Sequence, residues 1–356
     1  MYNDRVELLK DLSQAFGPTG CEGNVGELVC RVAEQYCHLY ATDRMGNFVF
    51  KISPEVHTAH TKKIMISAHM DEVGMMITEI DGDGYLKFDT LGGIDERVLC
   101  GRNVIIGDES KKIKGVIASK AIHHQKAEER KKATEVSKMY IDIGATSKEE
   151  AEKYVEIGDF ATFDSDFILF GKDDRLVKSK ALDDRLGCAV MLEVMKAVAE
   201  GKVKNTNELY FCFTVREEVG LSGAQTVAQV IAPDYAIVLE TTAIADIDDV
   251  SPALRVADMG KGGVVSVMDR STIYNHKLVS YLLELAELKG VKAQVKRYVS
   301  GGNDAGHIHK TGSGVKAVAL SAPTRYLHSP ACVASLDDFD SMIELLKILI
   351  ENWKSV

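Results

Sequence analysis

The sequence predicts an α/β protein: a mixed, largely parallel sheet flanked by helices, with a small β-barrel domain inserted into it. After Leu182, apolar strand-like runs alternate with amphipathic helical segments, which is typical of a largely parallel sheet. Residues 73–164 instead consist of short alternating segments separated by glycines, as in small β-barrels. We therefore expect one α/β domain made of residues 1–72 and 165–356, interrupted by a barrel domain at residues 73–164.

The first part of the α/β domain contains two predicted helices and two predicted strands. Apolar residues recur at helical spacing through residues 4–16, and the sequence GPTG ends that helix. A second helix is predicted over residues 23–37. Apolar runs at residues 48–52 and 63–68 predict strands, and the second of them leads directly to His69.

The second part of the α/β domain alternates between helices and strands to the end of the sequence. Ligands in open α/β sheets bind at the carboxyl ends of the strands, so residues that follow strands are the first candidates for a site. The predicted strands are 209–213, 235–239, 293–298 and 315–320, and the predicted helices are 186–200, 221–231, 275–289 and 336–353.

Composition and charge argue against several classes of protein. The net charge is −10 with the acidic residues spread along the chain, which argues against a nucleic-acid-binding surface. No apolar run reaches the ~18 residues of a membrane span, and residues 1–5 lack the basic start and apolar core of a secretory signal. The seven cysteines are odd in number and include no Cys-x-x-Cys pair, so we expect free thiols in a reducing cytoplasm.

The adjacent carboxylates Glu217 and Glu218 are the most informative residues of the chain. They follow the apolar run 209–213 and would repel each other at a strand end. In a continuing strand they would also point to opposite faces of the sheet, so the two cannot simply be buried together. The pair is understandable if cations hold one carboxylate and a water molecule contacts the other.

Two further segments carry candidate ligands, each with a structural alternative. In His69-x-Asp71, the imidazole would bind a metal while the carboxylate accepts a hydrogen bond from the other ring nitrogen. A surface histidine beside an acidic turn fits this spacing equally well. Asp183 and Asp184 precede a helix, where an aspartate commonly caps the N-terminus. We assign the cap to Asp184 and the metals to Asp183.

Glu240 and His328 complete the candidate set. Glu240 follows the predicted strand 235–239, and His328 lies in a loop, where it could also be a buried histidine with satisfied hydrogen bonds. Two histidines and several carboxylates form a nitrogen and oxygen set suited to zinc, cobalt or manganese. The pattern as a whole predicts a two-metal hydrolase. The glycine-rich segment 300–306 lacks the Lys-Ser/Thr of a phosphate-binding loop and is a candidate for substrate contacts.

Five ordered motifs closely resemble those of the tetrahedral aminopeptidases, a metallopeptidase family that includes glutamyl aminopeptidases and proteins once labelled cellulase M or endoglucanase. The resemblance runs essentially from end to end of the chain. It implies the zinc-aminopeptidase type of α/β fold, two divalent metal ions per subunit (zinc first, then cobalt or manganese) and short peptides as substrates. The motifs are SAHMDEVG at 67–74, IDIGA at 141–145, ALDDR at 181–185, REEVG at 216–220 and PTRYLHS at 323–329.

The resemblance implies a role for each candidate residue. Glu217 would be the general base, and Asp71 would orient His69. Family members often carry aspartate where this chain has Glu240, and the extra methylene shifts that carboxylate or changes how it binds an ion. The implied metal ligands are Asp183 as a bridge between two ions, His69 and Glu240 on one ion, and Glu218 and His328 on the other.

The resemblance also implies an assembly. The inserted barrel would be the family's dimerisation domain, and such dimers would assemble into a hollow tetrahedral dodecamer with interior active sites. The expected partners are therefore short peptides and further copies of the chain, with no nucleic acid and no membrane.

The implied function is removal of N-terminal residues from short peptides by a metal-activated water, and three alternatives remain open. Glu240 leaves open another two-metal hydrolase on a similar scaffold, a carboxypeptidase or a deacylase. A glycosidase needs two carboxylates flanking a sugar, usually beside aromatic platforms, but the one tryptophan, Trp353, lies in the terminal helix. A non-catalytic assembly protein would lack a ligand, whereas every expected ligand position holds a competent donor.

Overall fold

The computed structural model describes residues 4–355, which form an eleven-stranded mixed sheet with flanking helices and a separate closed barrel of six strands. The predicted α/β class with an inserted barrel is confirmed. Residues 1–3, on which part of the expectation of no secretory signal rests, lie outside the described residues. Between residues 4 and 355, no helix combines the length and the apolar character needed to cross a membrane.

The helices carry apolar residues on the side that faces the sheet, and side-chain oxygens cap several of their N-termini. Asp4 accepts a hydrogen bond from the backbone N–H of Val6, and Asn275 accepts one from Leu278. The helices are α1 (Arg5–Gln14), α2 (Gly23–Ala33), α3 (Lys148–Ala151), α4 (Leu182–Ala199), α5 (Ser222–Ile231), α6 (His276–Lys289), α7 (Ala305–Ile308) and α8 (Leu336–Glu351).

The strands divide between the large sheet and the barrel. The sheet contains β1 (Leu39–Thr42), β2 (Phe48–Ile52), β3 (Lys63–His69), β10 (Ile168–Phe170), β11 (Leu176–Ser179), β12 (Glu208–Thr214), β13 (Tyr235–Ala243), β14 (Gly263–Val265), β15 (Ala293–Val295), β16 (Lys316–Arg325) and β17 (Cys332–Ser335). The barrel contains β4 (Gly74–Ile80), β5 (Leu86–Leu91), β6 (Asn103–Gly107), β7 (Lys112–Ala118), β8 (Tyr140–Asp142) and β9 (Phe160–Phe163).

The centre of the sheet is parallel and its flanks are antiparallel. In spatial order the strands are β1, β2, β12, β3, β13, β16, β17, β11 and β10, with β14 pairing β16 and β15 pairing β14. The parallel strands β12, β3, β13 and β16 are buried between helices on both faces, which agrees with their nearly continuous apolar sequences. The antiparallel flanks make the sheet mixed.

The strand register brings the predicted site residues to one end of the sheet. In the pairing of β3 with β12, His69 lies opposite Thr214, three residues before Glu217. In the pairing of β3 with β13, Ser67 lies opposite Val238, so Glu240 lies level with His69. The carboxyl ends of three neighbouring parallel strands therefore carry the chemistry, as is usual for open α/β sheets.

The barrel is closed and antiparallel, and its strands follow the order β4, β5, β8, β7, β6 and β9. It has its own apolar core, in which Met75, Phe88 and Ile141 are buried. A hydrogen bond connects it to the large sheet, because the hydroxyl of Thr162 in β9 donates to Glu72 just after β3 (2.8 Å).

Buried Arg185 ties the start of α4 to two other segments. Its guanidinium donates to the main-chain oxygens of Met70 (2.6 Å), Leu12 (2.6 Å) and Gly17 (3.1 Å), and the side chain is wholly shielded from solvent. A planar donor group with several N–H bonds suits such a convergence of carbonyls. The guanidinium therefore fixes the segment after β3 against α4, directly beside the predicted site.

Every predicted helix and strand of the α/β domain overlaps an observed element, but several differ from it in length. The predicted strands 235–239 and 315–320 continue to Ala243 and Arg325. The second predicted helix, 23–37, ends at Ala33 and continues only as a 3₁₀ turn over Glu34–Tyr36. The predicted strand 293–298 ends at Val295.

Five strands of the large sheet were missed, for two physical reasons. The edge strands β1 and β10 are solvent-exposed at every residue, so they carry no alternation of buried and exposed positions. Strands β11, β14 and β17 have only three or four residues, too few to show a period of two.

Candidate active site

The structure brings all seven predicted site residues together at the carboxyl end of the central strands. They come from five separate stretches of the chain, which the register of β3, β12 and β13 and the first residues of α4 hold in place. The residues are His69 and Asp71 at the end of β3, Asp183 at the start of α4, Glu217 and Glu218 after β12, Glu240 in β13, and His328 in the loop after β16.

Asp183 lies between the two imidazoles. Its Oδ1 is 3.3 Å from Nε2 of His69, and its Oδ2 is 3.2 Å from Nε2 of His328. Glu240 Oε2 lies 3.9 Å from the same nitrogen of His69, and Glu218 Oε1 lies 3.4 Å from that of His328. Two groups of ligand atoms therefore share Asp183, each with its atoms within 4.8 Å of one another, and a third group of this kind is formed by His69, Glu217 and Glu218.

Main-chain carbonyls orient both imidazoles. Nδ1 of His328 lies 2.7 Å from the carbonyl oxygen of Gly93, and Nδ1 of His69 lies 3.1 Å from that of Asp71. The carboxylate of Asp71, which was predicted to accept from His69, is slightly farther away, at 3.4 Å. A proton on each Nδ1 satisfies these carbonyls and leaves each Nε2 lone pair facing the carboxylates.

Asp71 also holds the segment that carries the paired glutamates. Its Oδ1 accepts a hydrogen bond from the backbone N–H of Glu217 (3.0 Å), and its Oδ2 accepts one from Glu218 (3.1 Å). The carboxylate is fully buried. Asp71 therefore fixes both a histidine and the backbone of two acidic residues, which the sequence analysis did not anticipate.

Asp184 has the capping geometry predicted from the sequence. Its Oδ1 accepts a hydrogen bond from the backbone N–H of Gly187 (3.0 Å), three residues on in α4. Asp183 and Asp184 themselves have non-helical backbone angles, so the regular helix begins after them. This leaves Asp183 free to face the imidazoles.

The donor set fits divalent metal ions. Asp183 Oδ1, Glu218 Oε1 and Glu240 Oε1 are buried, and within residues 4–355 they have no partner in hydrogen-bonding geometry. Buried carboxylate oxygens without donors are costly unless a cation satisfies them. Imidazole nitrogens and carboxylate oxygens are also the ligands that zinc and similar ions prefer. Both groups of ligand atoms therefore suit a cation.

Burial shifts the pKa values of the carboxylates upward. Burial raises the pKa of Glu218 to about 7, and it raises the pKa of Glu217 and of Glu240 well above the usual value. Burial would raise the pKa of Asp183 as well, yet a hydrogen bond with His328 and the neighbouring imidazole of His69 hold it below its usual value. Without cations, burial therefore favours the protonated forms of Glu217, Glu218 and Glu240.

The pKa values of both imidazoles are also raised, but for a different reason. Burial alone would lower the pKa of His328, but a hydrogen bond to Asp183 and the charge of Glu218 raise it to about 9. Contacts with Asp183 and Asp71 likewise raise the pKa of His69 well above its usual value against the effect of burial. The surrounding carboxylates therefore favour the protonated form of both rings when no cation is present.

Three polar residues around the site were not identified from the sequence. Asp304 is buried and accepts a hydrogen bond from the hydroxyl of Thr214 (2.7 Å), and burial raises its pKa to about 6. Its position in the glycine-rich segment 300–306 was the available indication. Glu22 and Asn47 contact the segment before Glu217, and nothing in their local sequence suggests it.

The comparisons with known proteins agree with this geometry. The profile of a family described as M42 glutamyl aminopeptidase matches residues 46–345. The chain belongs to the M42 peptidase family. A putative aminopeptidase of Acetivibrio thermocellus is 40% identical over 343 residues, which cover 96% of this M42 peptidase and 97% of that protein.

Solved structures of similar proteins have the same fold as this chain. The TET aminopeptidase of the marine sediment archaeon Thaumarchaeota archaeon SCGC AB-539-E09 has a TM-score of 0.93 at 36% identity, covering 98% of this M42 peptidase and 96% of that chain. The TET1 peptidase of Pyrococcus horikoshii, which can assemble into a tetrahedron or a large octahedral shell, has a TM-score of 0.86 at 32% identity, covering 98% and 99%. The M42 peptidases are metal-dependent aminopeptidases, and this chain is a hydrolase of that kind.

We expect divalent metal binding to release protons at pH 7. His328, with a pKa of about 9, is protonated at this pH before metal binds, whereas a metal-ligating imidazole must be neutral. The apparent affinity should therefore rise with pH until about pH 9. Chelator-stripped protein would be titrated with zinc chloride by calorimetry in two buffers of different ionisation enthalpy. The difference between the two binding enthalpies should correspond to the release of roughly one proton or more per chain.

A matched variant and a contrary outcome sharpen this test. His57→Gln removes an exposed histidine on the loop between β2 and β3 and should leave the proton release unchanged. A binding enthalpy that is the same in both buffers would contradict the protonation of the metal-free site.

Proposed function

We propose that the site holds two divalent metal ions, with zinc as the physiological metal, and removes N-terminal residues from short peptides. The observation that carries this proposal is the position of Asp183, which directs one oxygen toward each imidazole. A single ion would leave one of the two ligand groups unsatisfied. Cobalt and manganese suit the same nitrogen and oxygen donors and belong in the same test.

Each of the two groups of ligand atoms that share Asp183 would hold one ion. His69 and Glu240 would hold one ion, Glu218 and His328 would hold the other, and Asp183 would bridge them. When bound, the ions would lower the pKa of a water molecule and polarise the carbonyl of the scissile bond. The longer side chain of Glu240, compared with aspartate, brings its Oε2 to 3.9 Å from Nε2 of His69.

Glu217 is left for proton transfer. Asp183, Glu218 and Glu240 each place an oxygen within 4 Å of an imidazole, whereas the carboxylate of Glu217 lies within 4.8 Å of the ligand atoms of His69 and Glu218 and belongs to neither group that shares Asp183. Burial raises the pKa of Glu217, which suits a group that must accept a proton and return it. We therefore propose that Glu217 takes the proton of the attacking water and delivers it to the leaving amine.

We further propose that residues 73–164 form a dimerisation domain, and that residues 1–72 and 165–356 form the catalytic domain. The closed barrel with its own core supports this division. Large apolar side chains exposed on the barrel suggest that another surface covers them, among them Tyr154 and Ile157. By likeness to the Pyrococcus horikoshii peptidase, the dimers would assemble into a tetrahedral dodecamer.

We place the protein in the cytoplasm. All seven cysteines are free, and four of them are buried. Unpaired thiols in this number suit a reducing compartment.

An activity panel tests the proposed function. Chelator-stripped protein would be assayed on aminoacyl-p-nitroanilides and short peptides after addition of zinc, cobalt or manganese. We expect metal-dependent release of the first residue from peptides with a free amine, and no release from their N-acetylated counterparts. Release of the C-terminal residue from the acetylated peptides would instead favour a carboxypeptidase, and release of the acetyl group would favour a deacylase.

Glu217→Gln separates proton transfer from metal binding. Because the amide cannot accept a proton, we expect kcat to fall by about 10²- to 10⁴-fold. The number of ions bound per chain, measured by elemental analysis, should not change. Glu218→Gln is the matched variant and should lose metal as well as activity. Near-normal turnover by Glu217→Gln would show that another group is the base.

A further inference from the structure

Four consecutive backbone N–H groups at residues 215–218 donate to side chains instead of to a neighbouring strand. This is the segment in which the chain leaves β12 and delivers Glu217 and Glu218 to the site. In chain order the acceptors are Oδ1 of Asn47 (3.0 Å), Oε1 of Glu22 (3.1 Å), and Oδ1 (3.0 Å) and Oδ2 (3.1 Å) of Asp71. Three distant parts of the chain therefore fix one short turn.

The turn needs to be held because its backbone is strained. Arg216 has a φ of 55°, in the left-handed region that residues with a Cβ seldom adopt. Such a conformation is unfavourable for a residue other than glycine, because the Cβ comes too close to the backbone. It also breaks the alternation of side chains along β12, and this lets both Glu217 and Glu218 approach His69.

The carboxylate of Glu22 is held in position to accept the hydrogen bond from the backbone N–H of Arg216. Its side chain is buried, and the same Oε1 that accepts from Arg216 also accepts from the backbone N–H of Gly20 (2.8 Å). The loop that carries Glu22 pairs with Glu72 through its backbone, since Glu72 donates to the carbonyl of Gly17 (3.1 Å) and accepts from Thr19 (3.0 Å). Glu22 is therefore anchored to the segment that directly follows Asp71.

Asn47 is fixed in the same manner on the other side. It is fully buried, and its Nδ2 donates to Oδ2 of Asp43 (2.7 Å) and to the carbonyl of Gly223 (3.2 Å). Its Oδ1 then faces the N–H of Val215. These two hydrogen bonds fix the orientation of the amide independently of its contact with the turn.

We propose that Glu22 and Asn47 are positioning residues for the reaction, which hold the left-handed turn at Arg216 and thereby aim the Glu217 carboxylate. Neither residue ligates a metal or contacts the reacting atoms. The inference rests on the proposed role of Glu217 as general base. It adds two residues from the first 50 positions to a site whose chemistry comes from positions 69–328.

Glu22 variants test the inference. Glu22→Ala removes the acceptor and lets the turn relax, so we expect kcat to fall about 10- to 100-fold, in line with the cost of a misplaced catalytic group. KM should stay within about twofold, since uniform substrate binding is untouched. Glu22→Gln keeps an oxygen acceptor at the same position and should retain kcat within about threefold, because a neutral acceptor still holds the turn.

A double variant tests whether the loss of kcat in Glu22→Ala arises through Glu217. If Glu22 acts through Glu217, Glu22→Ala should cause no further loss in the Glu217→Gln protein, since groups that act as a unit are not additive. Should Glu22→Ala fail to fold, Glu22→Asp withdraws the acceptor by one methylene and should show the same loss of kcat.

Asp338→Ala is the matched control. Asp338 in α8 is also a buried carboxylate that accepts two backbone N–H groups, those of Gly260 (2.7 Å) and Gly262 (2.6 Å). Its loss should lower the thermal midpoint comparably to Glu22→Ala without lowering kcat. Metal content should be unchanged in all of these variants.

Three outcomes would overturn the inference: unchanged kcat in Glu22→Ala, equal losses in the Gln and Ala variants, or an additive loss in the Glu217→Gln background. None of these outcomes would contradict the proposal that Glu217 is the general base, because that proposal fails only if Glu217→Gln itself remains active.

Discussion

The concentration of buried carboxylates around two imidazoles is the constraint on which the rest of this structure depends. Asp183, Glu217, Glu218 and Glu240 are brought within a few ångströms of His69 and His328, and several of their oxygens lack a donor. In water such a cluster would disperse, and in a protein it must either hold protons or hold cations. The raised pKa values describe the first state, and the division of the oxygens into two groups around Asp183 fits the second.

The neighbouring acids Asp71 and Glu72 show how the fold supports this cluster. Asp71 faces the site, where it contacts His69 and holds the backbone of Glu217 and Glu218. Glu72 faces away, where it pairs with Lys180 (2.6 Å) and accepts from the barrel through Thr162. One short segment after β3 thus fixes the turn at residues 215–218 on one side and the barrel on the other.

The sequence allowed the chemistry to be predicted better than the architecture around it. His69 ends β3, Glu217 follows β12 and Glu240 lies near the end of β13. A parallel sheet brings the carboxyl ends of its strands together, so the convergence of these residues was predictable. Edge strands β1 and β10 are exposed on both faces and gave no pattern to detect. Glu22 and Asn47 could not be found because their function is to accept hydrogen bonds from a distant backbone segment, which requires the tertiary structure. The hydrogen bonds that Asp71 accepts from the backbone of Glu217 and Glu218 could not be predicted from the sequence for the same reason.

Anomalous X-ray diffraction at the zinc absorption edge, from crystals of the zinc-loaded protein, tests the central claim most directly. The account predicts two anomalous peaks per chain on either side of Asp183. One should lie beside His69 and Glu240 and the other beside Glu218 and His328. A single peak that leaves one of these groups without an ion would contradict the two-ion account, as would ions bound elsewhere on the chain.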